Sequence, residues 1–446
     1  MIYIKNILFF ILTLVFFSCS SDPDTDDIKD PEPTFLGELD FTKTFGGTRN
    51  EIGNSIIATN DSGYAILGYV DSTDGDVTNR TTNDSDFLVL KYDANDNLQW
   101  QKSYGGTKDD RGNSIIQTND NGYVLIGFSK SNDGDVGQNE GNSDFWFIKL
   151  SPSGDINWKR TFGFSGNDFG TSVIQTSDNG FLIVGELDVT SSGGQGNSRL
   201  INRHAGGDFW AIKLNASGDT EWTKFFGGTF TDTALDVVQT DDNSFIILGT
   251  SDSTDTDITD PKGDYDFWII KISNTGNLIW EKNFGGSQID KAAKLVKTSD
   301  GHFLCVGNTR SSNKNITANN GGGDLWVIKI STDGNMIWEK TYGGTNFDDG
   351  TSISPSKNGN FILVGNSRST DNEFTNNGQN DAWILKISSN GNTIWQKFIG
   401  GSNIDLLHDV IELDNENIVA VGESNSSDKD ISENKGFSDL LIVKIK

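Results

Sequence analysis

A stretch of about 58 residues, written out seven times, governs what this chain can fold into, because its self-similarity accounts for everything from about Leu39 to Lys446. The copy beginning at Leu278 reads LIWEKNFGGSQIDKAAKLVKTSDGHFLCVGNTRSSNKNITANNGGGDLWVIKISTDGN. One aspartate opens the last strand of every unit, at Asp86, Asp144, Asp208, Asp266, Asp324, Asp381 and Asp439, in steps of 58, 64, 58, 58, 57 and 58. Inside each unit, short apolar runs alternate with turn residues and no helical period of useful length occurs. The runs of this copy define strands a (IWEKNFGG), b (KLVKT), c (FLCVG) and d (LWVIKI). Asp-Ser-Gly, Asp-Asn-Gly or Asp-Gly separates b from c, and Ser-Asn-Thr-Gly-Asn or Ser-Thr-Asp-Gly-Asn separates d from the next a. Both supply residues that tolerate positive φ in a tight hairpin.

A four-stranded antiparallel sheet of this size cannot cover both of its faces alone, so like units stabilise one another by packing face to face around an axis. The fold expected is all-β: a seven-bladed β-propeller with four antiparallel strands per blade. Strand d in Phe267-Trp268-Ile269-Ile270-Lys271-Ile272 is apolar on both faces, as a sheet sandwiched between neighbours requires. The chain ends fit a closed ring. Leu39–Phe45 is an a strand with no preceding d, and Leu440–Ile445 is a d strand with no following a. A blade built as b-c-d plus the next a would be completed by the N-terminal strand, which joins the last blade. A linear β-solenoid is the alternative, and it needs caps.

The N-terminus carries an address. Lys5 and Asn6 precede Ile7–Phe17, 11 residues interrupted only by Thr13, the length of a signal-peptide core and too short to cross a bilayer. Phe16-Phe17-Ser18-Cys19-Ser20-Ser21 follows and resembles a bacterial lipobox, departing from it in the two residues upstream of Ser18. The resemblance implies that Cys19 is diacylated and becomes the mature N-terminus; a plain secretory signal is the other reading. Residues 1–18 are thus expected to be a lipoprotein signal peptide and 19–36 a lipidated cysteine with a tether, leaving 37–446 for the propeller. The tether, SSDPDTDDIKDPEPT, is acidic and proline-rich and cannot build a core. It is similar to the surface-export signal of some Gram-negative outer-membrane lipoproteins, which implies an outer-membrane, lipid-anchored protein facing outward, with the inner face of that membrane left open. Anchoring would be by lipid alone.

The pattern Trp-x-Lys-x-Tyr/Phe-Gly-Gly, an acidic residue and an apolar strand, then Gly-Tyr-x-x-x-Gly and Asp-x-Trp-x-x-Lys resembles the bacterial β-propeller repeats of the SBBP type. The likeness runs through all seven units and speaks for architecture, not activity. The third unit departs from it: Gly163-Phe164-Ser165-Gly166 replaces the Gly-Gly pair, and six extra residues lie between c and d.

With 63 Asp and Glu against 35 Lys and Arg, the net charge of −28 argues against a polyanionic partner and excludes nucleic acid. Two cysteines, Cys19 and Cys305, and three histidines leave little for metal or acid–base chemistry. All 11 Trp fall at two repeat positions, Trp100, Trp158, Trp222, Trp280, Trp338 and Trp395 in strand a and Trp146, Trp210, Trp268, Trp326 and Trp383 in strand d, which reads as core. Glu51, Asp110, Asp168, Asp232, Asp290, Asp348 and Asp405 recur thirteen residues before strand c. They could ring the channel and collect cations, or accept hydrogen bonds from turn amides. Lys91, Lys149, Lys213, Lys271, Lys329, Lys386 and Lys444 could pair with them between blades as an ionic ring.

The long c–d loops emerge on one face, the default binding surface. Asp71, Asp74 and Asp76 offer clustered oxygens suited to Ca²⁺, though without EF-hand spacing, and a solvated turn is the alternative. Arg199, Arg203 and His204 form a cationic spot in the enlarged third loop and are candidates for ligand recognition, against simple loop drift. The function expected is a surface-anchored binding or scaffold propeller, its partners a surface polysaccharide or an outer-membrane protein. A lectin-like or carbohydrate-active reading is the alternative; exposed aromatics on the loop face, such as Tyr69, Tyr265, Phe374 and Phe437, would support it. A glycoside-acting or quinone-dependent enzyme would need unlike residues from different blades to converge at the channel; near-identical residues there would favour binding.

Overall fold

In the computed structural model, which describes residues 37–192, 204–371 and 373–446, seven four-stranded sheets repeat the order b-c-d-a. In blade 5 these strands are Asp290–Lys297, Phe303–Thr309, Asp324–Ile330 and Met336–Tyr342, all antiparallel. The b strands of neighbouring blades touch around the ring and line the channel, while a forms the outer edge. The closure expected from the chain ends is present: Leu39–Phe45 pairs with Asp439–Ile445 in blade 7, Phe45 opposite Leu440. Glu38 N donates to Lys446 O at 3.0 Å, and Lys446 N donates back to Glu38 O at 2.8 Å.

Blades adhere through strands c and d, which are buried on both faces. The Asp-Phe-Trp start of strand d explains the recurring contact: Phe87, Phe145, Phe209 and Phe267 each pack against the Trp of the next blade, Trp146, Trp210, Trp268 and Trp326, with ring centroids 4.5–4.9 Å apart. Each such pair adds about 0.5–1.5 kcal/mol beyond the area it buries. The two Trp series differ. Those in strand d are at most 5% exposed, whereas those in strand a are half-buried. The strand a rings clip onto the d–a hairpin of the following blade, as Trp222 Nε1 donates to Asn274 O at 3.1 Å and Trp280 Nε1 to Thr332 O at 3.3 Å. The glycine within strand c is required by close approach: a Cβ on Gly307 would stand 2.0 Å from Lys291 O in the adjoining b strand.

Candidate functional site

The seven recurrent acids of strand b are fully buried and serve turn amides. Asp110 accepts from Gly106 N and Ser131 Oγ at 2.8 Å, from Lys130 N at 3.1 Å, and from the Ser129 hydroxyl. Burial pushes Asp168 up to about 7 and Asp232 to about 8. The strand d aspartates sit beside them across each blade junction. In Asp144, Asp266, Asp324, Asp381 and Asp439 one oxygen accepts the amide four residues upstream, 2.7 Å for Asn320 N to Asp324; in Asp86 it accepts Arg80 Nε at 3.0 Å. The other, in Asp86, Asp144, Asp266, Asp324, Asp381 and Asp439, is buried without a hydrogen bond. It lies against the first glycine of the Gly-Gly turn: a Cβ on Gly343 would be 2.4 Å from Asp324 Oδ1 and 3.0 Å from Asp348 Oδ2, which accounts for the motif. Burial raises these six carboxyls to about 6.

The recurrent lysines do not pair with either acid series. Lys91, Lys149, Lys213, Lys271 and Lys329 reach Asp61, Asp120, Asp178, Asp242 and Asp300 in the b–c hairpin of their own blade, at 2.6–3.0 Å. Lys386 lies 3.6 Å from Glu412, and Lys444 bonds Asp96 at 2.6 Å. The ionic ring is therefore on the hairpin face, because a lysine near the end of strand d sits beside that turn.

Asp71, Asp74 and Asp76 are held apart by separate donors. Asp71 takes Ser85 Oγ at 2.7 Å, Asp74 takes Thr48 N at 2.8 Å, and Asp76 takes Gly46 N and the Lys435 ammonium at 3.1 Å. Among the described residues no three Asp, Glu, His or Cys side chains gather as a metal site. His204 is not a surface cation: it is 0% exposed, with Nδ1 2.7 Å from Asp208 Oδ2. Cys19, Arg199 and Arg203 lie outside the described residues. Of the loop-face aromatics, Tyr69 is capped by Arg111 at 4.4 Å and Tyr265 by Lys291 at 5.5 Å. Phe374 packs on Trp383 and Phe398. Phe437 is 72% exposed, and Phe230, which the sequence reading passed over, is 55% exposed.

Where the c–d loops leave, each blade presents one cross-strand b–c pair to the channel mouth, and the seven pairs all differ. They are Ile52–Tyr69, Arg111–Phe128, Phe169–Glu186, Thr233–Thr250, Lys291–Asn308, Asp349–Asn366 and Leu406–Glu423. The next pair down has glycine on strand c in every blade, as in Gly53–Gly68 and Ala292–Gly307. Variation thus begins where the frame stops needing uniformity.

The carboxylates of the mouth have internal donors. Glu186 accepts Thr233 Oγ1 at 2.7 Å, Asp349 accepts Asn308 Nδ2 at 2.6 Å, and Glu423 accepts Ser438 Oγ at 2.6 Å with His408 Nε2 at 3.6 Å. Burial raises Asp349 against its hydrogen bond from Asn308. In Glu423 burial is outweighed by hydrogen bonds from His408 and Ser438, so its carboxyl is lowered.

Below the mouth, a β-bulge in each b strand makes a waist from Ser55, Ser114, Ser172, Asp236, Lys294, Ser352 and Asp409. Asp409 ties three blades together by accepting Ser352 Oγ at 2.6 Å, Ile56 N at 3.0 Å and Ser55 Oγ at 3.2 Å. Asp236 does the same with Ser172 Oγ at 2.7 Å and Leu295 N at 3.0 Å. Asp409 and then Asp236 hold the Lys294 ammonium above its ordinary pKa against burial. These waist residues stand out only once the seven copies are superposed, as the column in which Asp and Lys replace Ser.

No protein-family model matches the chain. A curated relative, the regulatory protein FlaEY of Caulobacter vibrioides, is 24% identical over 186 residues, 39% of this chain and 19% of its own length. The chain therefore spans about a fifth of that relative. Among solved structures, Sqt1 from Chaetomium thermophilum gives a TM-score of 0.48 at 10% identity, covering 93% of this chain and 100% of that one. The Pan2 WD40 domain of Neurospora crassa gives 0.48 at 8% identity, covering 92% and 97%. A protein of unknown function from Bacteroides caccae gives 0.40 at 10% identity, covering 76% and 97%. The seven-bladed propeller stands on the strand pairing of the chain itself.

Proposed function

We propose that this protein is a surface-tethered lipoprotein whose propeller binds its ligand at the channel mouth on the loop face. The observation that carries the reading is the contrast between seven unlike rim pairs and the uniform glycine row beneath them. A scaffold alone has no reason to diversify one ring of positions. The N-terminal apolar run and Cys19 support lipid anchoring, and the acidic tether supports display outside the outer membrane. Surface polysaccharide or an outer-membrane protein is the partner class.

Capture from a panel of both partner classes tests the reading, using full-length protein and a mouth-filling variant, Ile52→Trp with Leu406→Trp. Ligand retained by wild type and by a hairpin-face variant, Lys357→Glu, but lost from the filled mouth is the expected result. Equal capture by all three removes the mouth as the site. Labelled palmitate entering wild type but not Cys19→Ala tests the anchor.

A second reading, catalysis, is favoured by one observation, the unlike residues that meet at the rim. Asp349, raised by burial, and Glu423, lowered by its hydrogen bonds, are the acid and base that glycoside cleavage would use. Release of reducing sugar that disappears in Asp349→Asn would support it; turnover unchanged in that variant would remove it.

A further inference from the structure

The cations of the mouth lack what its carboxylates have. Lys291 on the rim, and Arg310 and Arg368 just outside it, form an arc over blades 5 and 6. Among the described residues their charged groups make no hydrogen bond or ion pair, Lys291 lying over the Tyr265 ring and Arg310 over the Phe347 ring at 5.5 Å. The backbone fixes the two arginines at equivalent places, with Arg310 N donating to Ile289 O and Arg368 N to Phe347 O, each at 3.0 Å. Arg111 adds a buried Nε without a partner. Lys294 lies three residues below Lys291 on the same strand, about 10 Å deeper, and stands apart from the arc, its charge already answered by Asp409 and Asp236. On a chain of net charge −28, in which the recurrent strand d lysines all meet carboxylates, cations gathered in one arc without such partners are set out for an acceptor from outside.

We infer that this arc binds the anionic group of an acidic saccharide, entering end-on with its carboxylate on Arg310, Arg368 and Lys291 and its ring face along Phe347. The inference rests on the mouth being the ligand site. The aromatic rings beside Lys291 and Arg310 decide for a sugar over a bare anion, since a pyranose offers an apolar face next to its charged group. The Ser and Asp side chains of the waist are 1–8% exposed, so the mouth and not the waist offers the polar contacts. The net charge of −28 decides for a single terminal acid over a long polyanion, which the rest of the molecule repels.

Calorimetric titration of the full-length protein tests this with glucuronate, its methyl ester, glucose 6-sulfate and an acidic peptide of glutamates. Glucuronate should bind, the ester about tenfold or more weaker, and Arg310→Gln with Arg368→Gln should abolish the difference while leaving the melting temperature unchanged. Sulfate in place of carboxylate should bind comparably, which distinguishes charge from the specific acid. Equal binding of acid and ester, or no effect of the double variant, overturns the anionic site while the mouth remains. Binding that survives Ile52→Trp with Leu406→Trp overturns the mouth. Stronger binding of the peptide than of glucuronate overturns the saccharide, and no binding of any probe overturns the inference as a whole.

Discussion

The buried strand d carboxyls make stability depend on pH in a direction opposite to most proteins. Six of them are raised from 3.8 to about 6 by burial at blade junctions. A raised carboxyl pKa means the folded state holds the proton more tightly, so its contribution is complete below about pH 4 and is lost as pH rises through 6. Asp168 and Asp232, at about 7 and about 8, carry the loss toward pH 8. Each junction contributes about 1–3 kcal/mol, the upper value converting the whole rise and the lower allowing for solvent screening. Below pH 4 the opposite group takes over, since the hairpin carboxylates Asp120, Asp178 and Asp300, lowered to about 2 by hydroxyl and lysine donors that outweigh their burial, begin to lose their partners. Stability should therefore peak near pH 4, where the junction carboxyls are still protonated and the hairpin carboxylates still ionised. With the unfolding entropy of a domain this long, the melting temperature should fall by on the order of 5–10 °C from about pH 5.5 to 8. Self-repulsion at net charge −28 would give the same sign. Changing Asp266, Asp324 and Asp381 to Asn separates the two, because it removes half of the six junction groups but little of the net charge. The fall should shrink by about a quarter to a third, since Asp168 and Asp232 remain, with the variant more stable than wild type at pH 8. A melting temperature that is flat or rising from pH 5.5 to 8, or an unchanged slope in the variant, refutes the linkage.

Other outcomes follow from packing and closure. Trp268→Ala, at 0% exposure, should cost about 3–5 kcal/mol by denaturant unfolding, and Trp280→Ala, half-buried on the outer strand, clearly less. Asp409→Ala should cost about 2–3 kcal/mol by removing an acceptor shared by blades 6, 7 and 1, with Asp409→Asn recovering part of it. Cys305, fully buried and its thiol raised by burial, should resist thiol labelling read by mass spectrometry until the protein is denatured; labelling at the rate of a free thiol would contradict its placement.

Strand count, blade composition and closure were legible because a repeat with an orphan a strand at one end and an orphan d strand at the other admits few arrangements. The strand d tryptophans were legible for the same reason. Partner choice was harder to read. Period places Lys271 once per unit but not on a face of the ring, and only the hairpin geometry brings it to Asp242 rather than to Asp290. His204 looked like a loop cation because its neighbours are arginines. It stands four residues before Asp208, however, where Asn320 or Lys435 gives a backbone amide to the same carboxylate in other blades. The rim was present in the sequence as one variable column, Ile52, Arg111, Phe169, Thr233, Lys291, Asp349 and Leu406. It carried no signal until the fold put that column around a hole.

The closing pair Phe45–Leu440 joins residues almost the whole chain apart. The segment made first must therefore wait, with one sheet incomplete, until strand d of the seventh blade has been made. Ring formation belongs after Asp439–Ile445 has been made, and until Leu39–Phe45 docks on it the edge of that strand near Ile442 is the place where a second chain could intrude.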